Sequence, residues 1–133
     1  MNVTTDRNHD ISIVRVNEAR LMYPLLPEFA GAVTPLIGTG SKVLLDLSTV
    51  TYVDSATIGC LMDLYRQVTA AGGSLKLSGV QKRVETMLTM TGAQNFLEIH
   101  SDEASAIWSI RWVISRIMSS NERSRPRLAV TSR

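Results

Sequence analysis

An α/β fold, a β-sheet assembled through right-handed crossovers, is predicted by three observations. Segments of strand-like alternation and segments of helical periodicity follow one another along the chain. The run Lys42 to Leu47 (Lys-Val-Leu-Leu-Asp-Leu) is nearly continuous in apolar character, as a central strand buried on both faces must be. Gly72-Gly73 and Gly92 stand where two of the helical patterns stop, the usual place for glycine past a helix end. The 133 residues fit one domain, and 44% apolar residues against 20% charged is a globular balance.

The elements can be read in order. Ile11-Ser12-Ile13-Val14-Arg15-Val16 is rich in β-branched residues and predicts a strand. Asn8-His9-Asp10 before it is a turn cluster, so Asn2 to Arg7 predicts a hairpin arm. Tyr23 to Ile37 carries Leu25, Leu26, Phe29, Val33 and Leu36 near helical spacing. Pro24 and Pro27 suit the start of that helix, and Pro35 should end or kink it. After the Lys42 strand, Ala56 to Ala71 predicts a helix. Its inward stripe is Ile58, Leu61, Met62, Tyr65 and Val68, while Asp63, Arg66 and Gln67 face away. Ser74 to Ser78 alternates as a short strand. Val80 to Thr91 predicts a helix with Val84, Met87 and Leu88 inward, and Phe96 to Ile99 a short strand or extended link. Ser101 to Met118 predicts a final helix capped by Ser101 or Asp102, covering a sheet edge or one face. The folded domain is therefore expected over residues 1–118, and 119–133 as a flexible Ser/Arg-rich tail.

Charge is uneven. Net charge is +2 and the pI about 9.0. The last fifteen residues hold Arg123, Arg125, Arg127 and Arg133 against Glu122, a local +3 that leaves −1 for the first 118. The basic character belongs to the tail, which argues against a nucleic-acid-binding surface on the domain. Met1 to Asp10 has no apolar run after a basic start, and no apolar stretch is long enough to cross a bilayer. The single Cys60 forms no internal bridge. A cytoplasmic protein without a membrane partner is expected. His9, His100 and Cys60 show no metal-ligand spacing, so no metal and no cofactor are expected, and Cys60 reads as core. Trp108 and Trp112 read as core, with a partly exposed partner anchor as the other outcome. Arg66, Lys82 and Arg83 read as a solvated face. No nucleophile–base–acid set stands out, so an enzyme is not expected. Asp46 in its apolar strand is unusual, but a phosphoaspartate site needs further carboxylates for magnesium, and no acidic pair supplies them.

The informative stretch is Val43 to Gly59, where a buried strand runs into a short loop ending in Asp54-Ser55 and a helix begins at once. Strand C-terminal ends in open α/β sheets are where functional loops sit. Asp54 or Ser55 can serve as the N-cap, worth roughly 1 kcal/mol. A phosphoryl group on Ser55 would meet the favourable field of a helix N-terminus and the repulsion of Asp54. Capping and phosphorylation can coexist there.

Val-Leu-Leu-Asp-Leu-Ser-x-Val-x-Tyr-Val-Asp-Ser-x-x-x-Gly, followed by a helix, Ala-Gly-Gly and a short strand, resembles the STAS domain of bacterial anti-sigma factor antagonists. Val84 to Gly92, a helix ending in Thr-Gly with Phe96 soon after, resembles the family too. The resemblance covers about Ile11 to Ile117 and implies a small mixed sheet with about four helices. It implies that Ser55 is phosphorylated by a serine kinase that is also the anti-sigma factor. The unphosphorylated form would bind that kinase and so regulate transcription, and a PP2C-type phosphatase would reset the switch. It implies a partner-binding site at Asp54, Ser55, Ala56, Thr57, Gly59 and Met22, with Gly59 letting the helix approach the sheet. Two segments depart from the pattern: Met22 stands where the family has an Asp, and Ala56-Thr57 where it often has Ser-Gly. Thr57 is a second candidate acceptor. These departures keep open another reading, a constitutively binding STAS scaffold subunit of a stress-sensing assembly or lipid-transport complex. The wide apolar face of the last helix (Ile107, Trp108, Ile110, Val113, Ile114, Ile117) could pack internally or at a homodimer seam.

Overall fold

The computed structural model describes residues 1–110. The hairpin arm forms: β1 (Val3–Asn8) pairs antiparallel with β2 (Ile11–Val16), and His9 takes a left-handed φ of 57° in the turn between them. A two-residue strand, β3 (Arg20–Leu21), follows. The expected helix from Tyr23 to Ile37 is broken into three pieces. A 3₁₀ turn at Tyr23–Leu25 leads into α1 (Leu26–Val33), and a second 3₁₀ turn at Thr34–Leu36 follows. Each piece carries a proline in its first turn, where the missing N–H is tolerated, so the prolines restart the chain three times.

β4 (Lys42–Asp46) is the predicted buried strand, and β5 (Tyr52–Val53) is a short strand that local periodicity did not announce. α2 (Ser55–Ala70), β6 (Ser74–Ser78), α3 (Lys82–Thr91) and β7 (Glu98–His100) complete the alternation. A final helix, α4, is described over residues 103–110, and Asp102 is its cap, accepting from the Ser105 N–H at 2.8 Å. The remainder of the predicted last helix to Met118, Trp112 with it, and the 119–133 tail lie outside the described residues.

The main sheet has the order β1-β2-β4-β6-β7, antiparallel only at β1–β2, and is therefore mixed as expected. Its two faces differ. Val14, Val16, Val43, Leu45, Leu75 and Leu77 meet Phe29 and Val33 of α1, Leu61 and Leu64 of α2 and Val84 and Leu88 of α3 in the main core. Among the described residues, Ile11, Ile13 and Leu44 meet Ala106 and Ile110 of α4, with Ile107 packed alongside. Polar ties hold α4 at two places: Glu103 takes a two-point hydrogen bond from Arg15 (2.6 and 3.0 Å), and Ser109 joins Lys76 and Glu98. Trp108, expected in the core, is instead 66% exposed, because the narrow seam of α4 is filled by Ala106 and Ile110. Cys60 lies at the rim of the main core, half-buried, where burial pushes its thiol pKa up.

The expected role of Gly59 is also corrected. It lies on the exposed side of α2, and a Cβ there would meet nothing within 4 Å. The close approach belongs to Gly73, where a Cβ would stand 2.1 Å from the Ser41 carbonyl oxygen. Gly59→Ala should therefore raise stability in urea unfolding by about 0.5–1 kcal/mol, the helix-propensity gain. Gly73→Ala should lower it by about 3 kcal/mol or more, because backbone has to move.

Candidate functional site

The site is built where two chain segments distant in sequence are clamped together. β3 and β5 form their own two-stranded parallel ladder, with Arg20 opposite Tyr52 and Leu21 opposite Val53. The Ala19 carbonyl accepts from the Thr51 N–H (2.7 Å) and the Thr51 hydroxyl (2.9 Å), which anchors one end. Asp54 anchors the other. Its Oδ1 accepts from the Thr57 N–H at 2.9 Å and contacts the Thr57 hydroxyl at 2.7 Å. Its Oδ2 accepts from the Tyr23 N–H at 2.9 Å.

One carboxylate thus caps two elements. Met22 precedes the Tyr23 turn and offers no polar cap of its own, so the unpaired N–H of Tyr23 is met from across the site. Asp54 is at the same time the N-cap of α2, in extended geometry. The Thr57 hydroxyl, acting most strongly, and the Tyr23 and Thr57 N–H groups hold the Asp54 carboxyl below its ordinary pKa, outweighing the site's mild burial, which works the other way.

Ser55 is the first residue of α2 and is exposed. No described residue hydrogen-bonds its hydroxyl. Ala56 beside it is exposed, whereas Thr57 is fully buried and its hydroxyl also reaches the Leu21 carbonyl at 2.8 Å. Half-buried Met22 lies next in sequence to the Tyr23 N–H that Asp54 holds, and Gly59 leaves open ground one helical turn beyond Ser55. The tertiary structure therefore gathers Met22, Asp54, Ser55, Ala56, Thr57 and Gly59 at one end of α2.

Residues 2–106 of this chain match the STAS domain family. The chain belongs to the STAS domain family. It is 25% identical over 108 residues to the anti-sigma-B factor antagonist of Bacillus subtilis (strain 168), which covers 80% of this chain and 99% of that protein. Its STAS fold is similar to the structure of an anti-sigma-factor antagonist (STAS) domain protein from Planctomyces limnophilus. The TM-score is 0.76 and the identity 18%, over 82% of this chain and 97% of that one. The unphosphorylated form of the anti-sigma factor antagonist SpoIIAA matches with a TM-score of 0.67 and 16% identity, over 83% of this chain and 96% of that one. The phosphorylated form, a Bacillus cell fate determinant, matches at 0.62 with 12% identity, over 82% and 99%. Among the described residues no helix is long and apolar enough to cross a membrane.

Around this STAS site stand residues that sequence reasoning missed. Tyr23 is 70% exposed beside the Asp54 clamp. Tyr52 carries two guanidinium groups, Arg20 at 4.8 Å and Arg83 at 5.4 Å from its ring centroid. Arg83 is thus part of a stack, where a solvated face was expected; Arg66 is exposed and lies 3.9 Å from exposed Asp63. No local pattern could join Arg20, Tyr52 and Arg83, because the β3–β5 ladder and the packing of α3 bring them together. Asp46, the unusual acid of β4, is engaged by the Ser48 N–H at 2.9 Å and lies 4.0 Å from Arg15.

The clamp makes a prediction. Asp54→Ala should cost about 1–2 kcal/mol in urea unfolding, the range for a cap, because the Tyr23 and Thr57 N–H groups lose their side-chain acceptor while the Thr57 hydroxyl keeps the Leu21 carbonyl. Asp54→Asn keeps one acceptor and should cost less. The folded-state pKa of Asp54 is depressed, so its stabilisation is present above the ordinary value of 3.8 and is lost as pH falls below it. The stability gap between wild type and Asp54→Asn should therefore close on acidification through that range.

Proposed function

We propose that this STAS protein is an anti-sigma factor antagonist with Ser55 as its switch. Unphosphorylated, it binds a serine kinase that is also the anti-sigma factor, and the sigma factor so released acts in transcription. Phosphorylation of Ser55 ends that binding, and a PP2C-type phosphatase restores it. The protein acts by binding, without an enzymatic step of its own, and works in the cytoplasm.

One observation carries this reading: an exposed serine, its hydroxyl without a partner among the described residues, begins a sixteen-residue helix on a loop held by Asp54. A kinase needs a reachable hydroxyl, and Ser55 offers one. Thr57 does not, since its hydroxyl is buried and committed to Leu21 and Asp54; the alternative acceptor is therefore disfavoured. A phosphoryl group adds a charge of about −2. The helix N-terminus tolerates that charge in the free protein. A partner pressed against the same spot would have to desolvate it beside Asp54, which is costly. The partner surface on this reading comprises Met22, Asp54, Ser55, Ala56, Thr57 and Gly59, with Asp54 and Thr57 shaping it and Ser55, Ala56 and Gly59 meeting the partner.

The second reading, a constitutive STAS scaffold subunit, draws support from Met22, which puts an apolar side chain beside the switch where the family pattern has an acid. Tagged Ser55→Ala and Ser55→Asp proteins expressed in the native cells separate the two. The switch predicts that the Ala form retains a serine kinase, recognised by its mass-spectrometric sequence, and that the Asp form loses it by at least about tenfold. Equal retention by both forms would leave the scaffold reading standing. Fragment mass spectrometry of the wild-type protein should place one phosphoryl group on Ser55.

A further inference from the structure

Beside Ser55 the surface continues into a groove between α2 and α3. Ser55 and Ile58 form one wall, and Met87, Met90 and Thr91 the other. Its volume is about 150 Å³, below the size that encloses a small-molecule ligand and suited to single side chains of a protein partner. Met90 is 79% exposed, an unusual state for a large apolar side chain. Methionine is pliable and recurs on surfaces that receive a partner's apolar residues.

The groove has a charged end. Arg83, Met87 and Met90 are spaced i, i+4 and i+7 and so follow one stripe of α3. The stripe begins at the Arg83–Tyr52–Arg20 stack. Neither guanidinium has a carboxylate within 4.0 Å among the described residues. The nearby acids are engaged elsewhere: Asp54 by Tyr23 and Thr57, and Glu18 by the Asn2 N–H at 2.6 Å. Glu85 is two residues from Arg83, which puts it on another side of α3. Two like charges held against one ring repel, and a carboxylate arriving beside them would relieve that repulsion and form charge-assisted hydrogen bonds.

We infer that this groove receives an acidic amphipathic segment of the partner protein, with a carboxylate on Arg20 and Arg83 and an aliphatic side chain on Ile58, Met87 and Met90. The inference rests on the switch reading, because it names the partner chemistry of the same site. Four to seven residues of α3 span about 6–10 Å, so the partner's carboxylate and its aliphatic anchor lie one to two helical turns apart. Ser55 stands on the rim of the groove. A phosphoryl group there has the same sign as the incoming carboxylate and competes with it for the arginines, which supplies a physical route for the switch.

The test is an NMR titration of the isotope-labelled full chain with two synthetic helical peptides of about fifteen residues. One carries Glu with Leu four and seven residues further on; its counterpart carries Lys in place of the Glu. The expected result is that the Glu peptide shifts the amide signals of Ser55 to Ile58 and Arg83 to Thr91, and binds more weakly as salt is raised. Arg83→Glu, on an exposed side chain, should weaken the Glu peptide about fivefold or more and improve the Lys peptide. No binding up to about 1 mM, shifts confined to another surface, or equal affinities after charge reversal would each overturn the inference. Ser55→Asp in the same titration keeps the two ideas apart. Loss of binding on Arg83→Glu but not on Ser55→Asp upholds the groove and sinks the competition. Loss on Ser55→Asp alone overturns the groove while leaving the switch.

Discussion

The carboxylate of Asp54 holds together two parts of the chain that neither the main sheet nor any one helix joins. It accepts from Tyr23, 31 residues away, and from Thr57 at the start of its own helix. The Thr57 hydroxyl extends the same connection to the Leu21 carbonyl. A buried hydroxyl and two backbone N–H groups would each be costly to leave unpaired, so these contacts are mutually enforcing. Their consequence is positional. The loop between β5 and α2 is fixed on its inner side, and the residue that faces outward is Ser55. A charge added there would alter the surface without disturbing the fold beneath it.

The rest of the architecture supports that arrangement by dividing labour between the two sheet faces. Three helices share one continuous core on the first face, which anchors α2 through Ile58, Leu61, Leu64 and Val68. The second face has a small apolar seam under α4, framed by charged residues in hydrogen-bonded sets. Buried charge needs such pairing, and here the pairs also set the position of α4 on the sheet. The helix that presents Ser55 is thus held by the core of the first face.

Much of this was legible in the residues. The β1–β2 hairpin, the buried β4, the Ile58, Leu61 and Val68 positions of the α2 stripe and the glycine stops needed only local periodicity and turn chemistry, whereas buried Leu64 of α2 was missed. Errors arose where a local pattern had a second solution. Leu25, Leu26, Phe29, Val33 and Leu36 are spaced as in one helix, but three prolines divide the backbone into two 3₁₀ turns with α1 between them. Trp108 has core chemistry, but the α4 seam is narrow and leaves it outside. Gly59 sits in the family motif at a place that suggests close packing, yet its side of α2 is open.

The sequence by itself determined the fold class, the placement of Asp54 and Ser55 at a helix start, and the resemblance that names the family. Those depend on neighbours within one or two turns of the chain, and alternation, capping and glycine stops record them directly. Only the tertiary structure decided that Asp54 also caps the Tyr23 turn, that Thr57 is buried while Ser55 is free, and that Arg20 and Arg83 share Tyr52. Each of these joins residues from separate elements through β3–β5 pairing or helix packing. Such contacts leave no periodic trace in a single chain, because their geometry exists only once the sheet has set the distance between the elements.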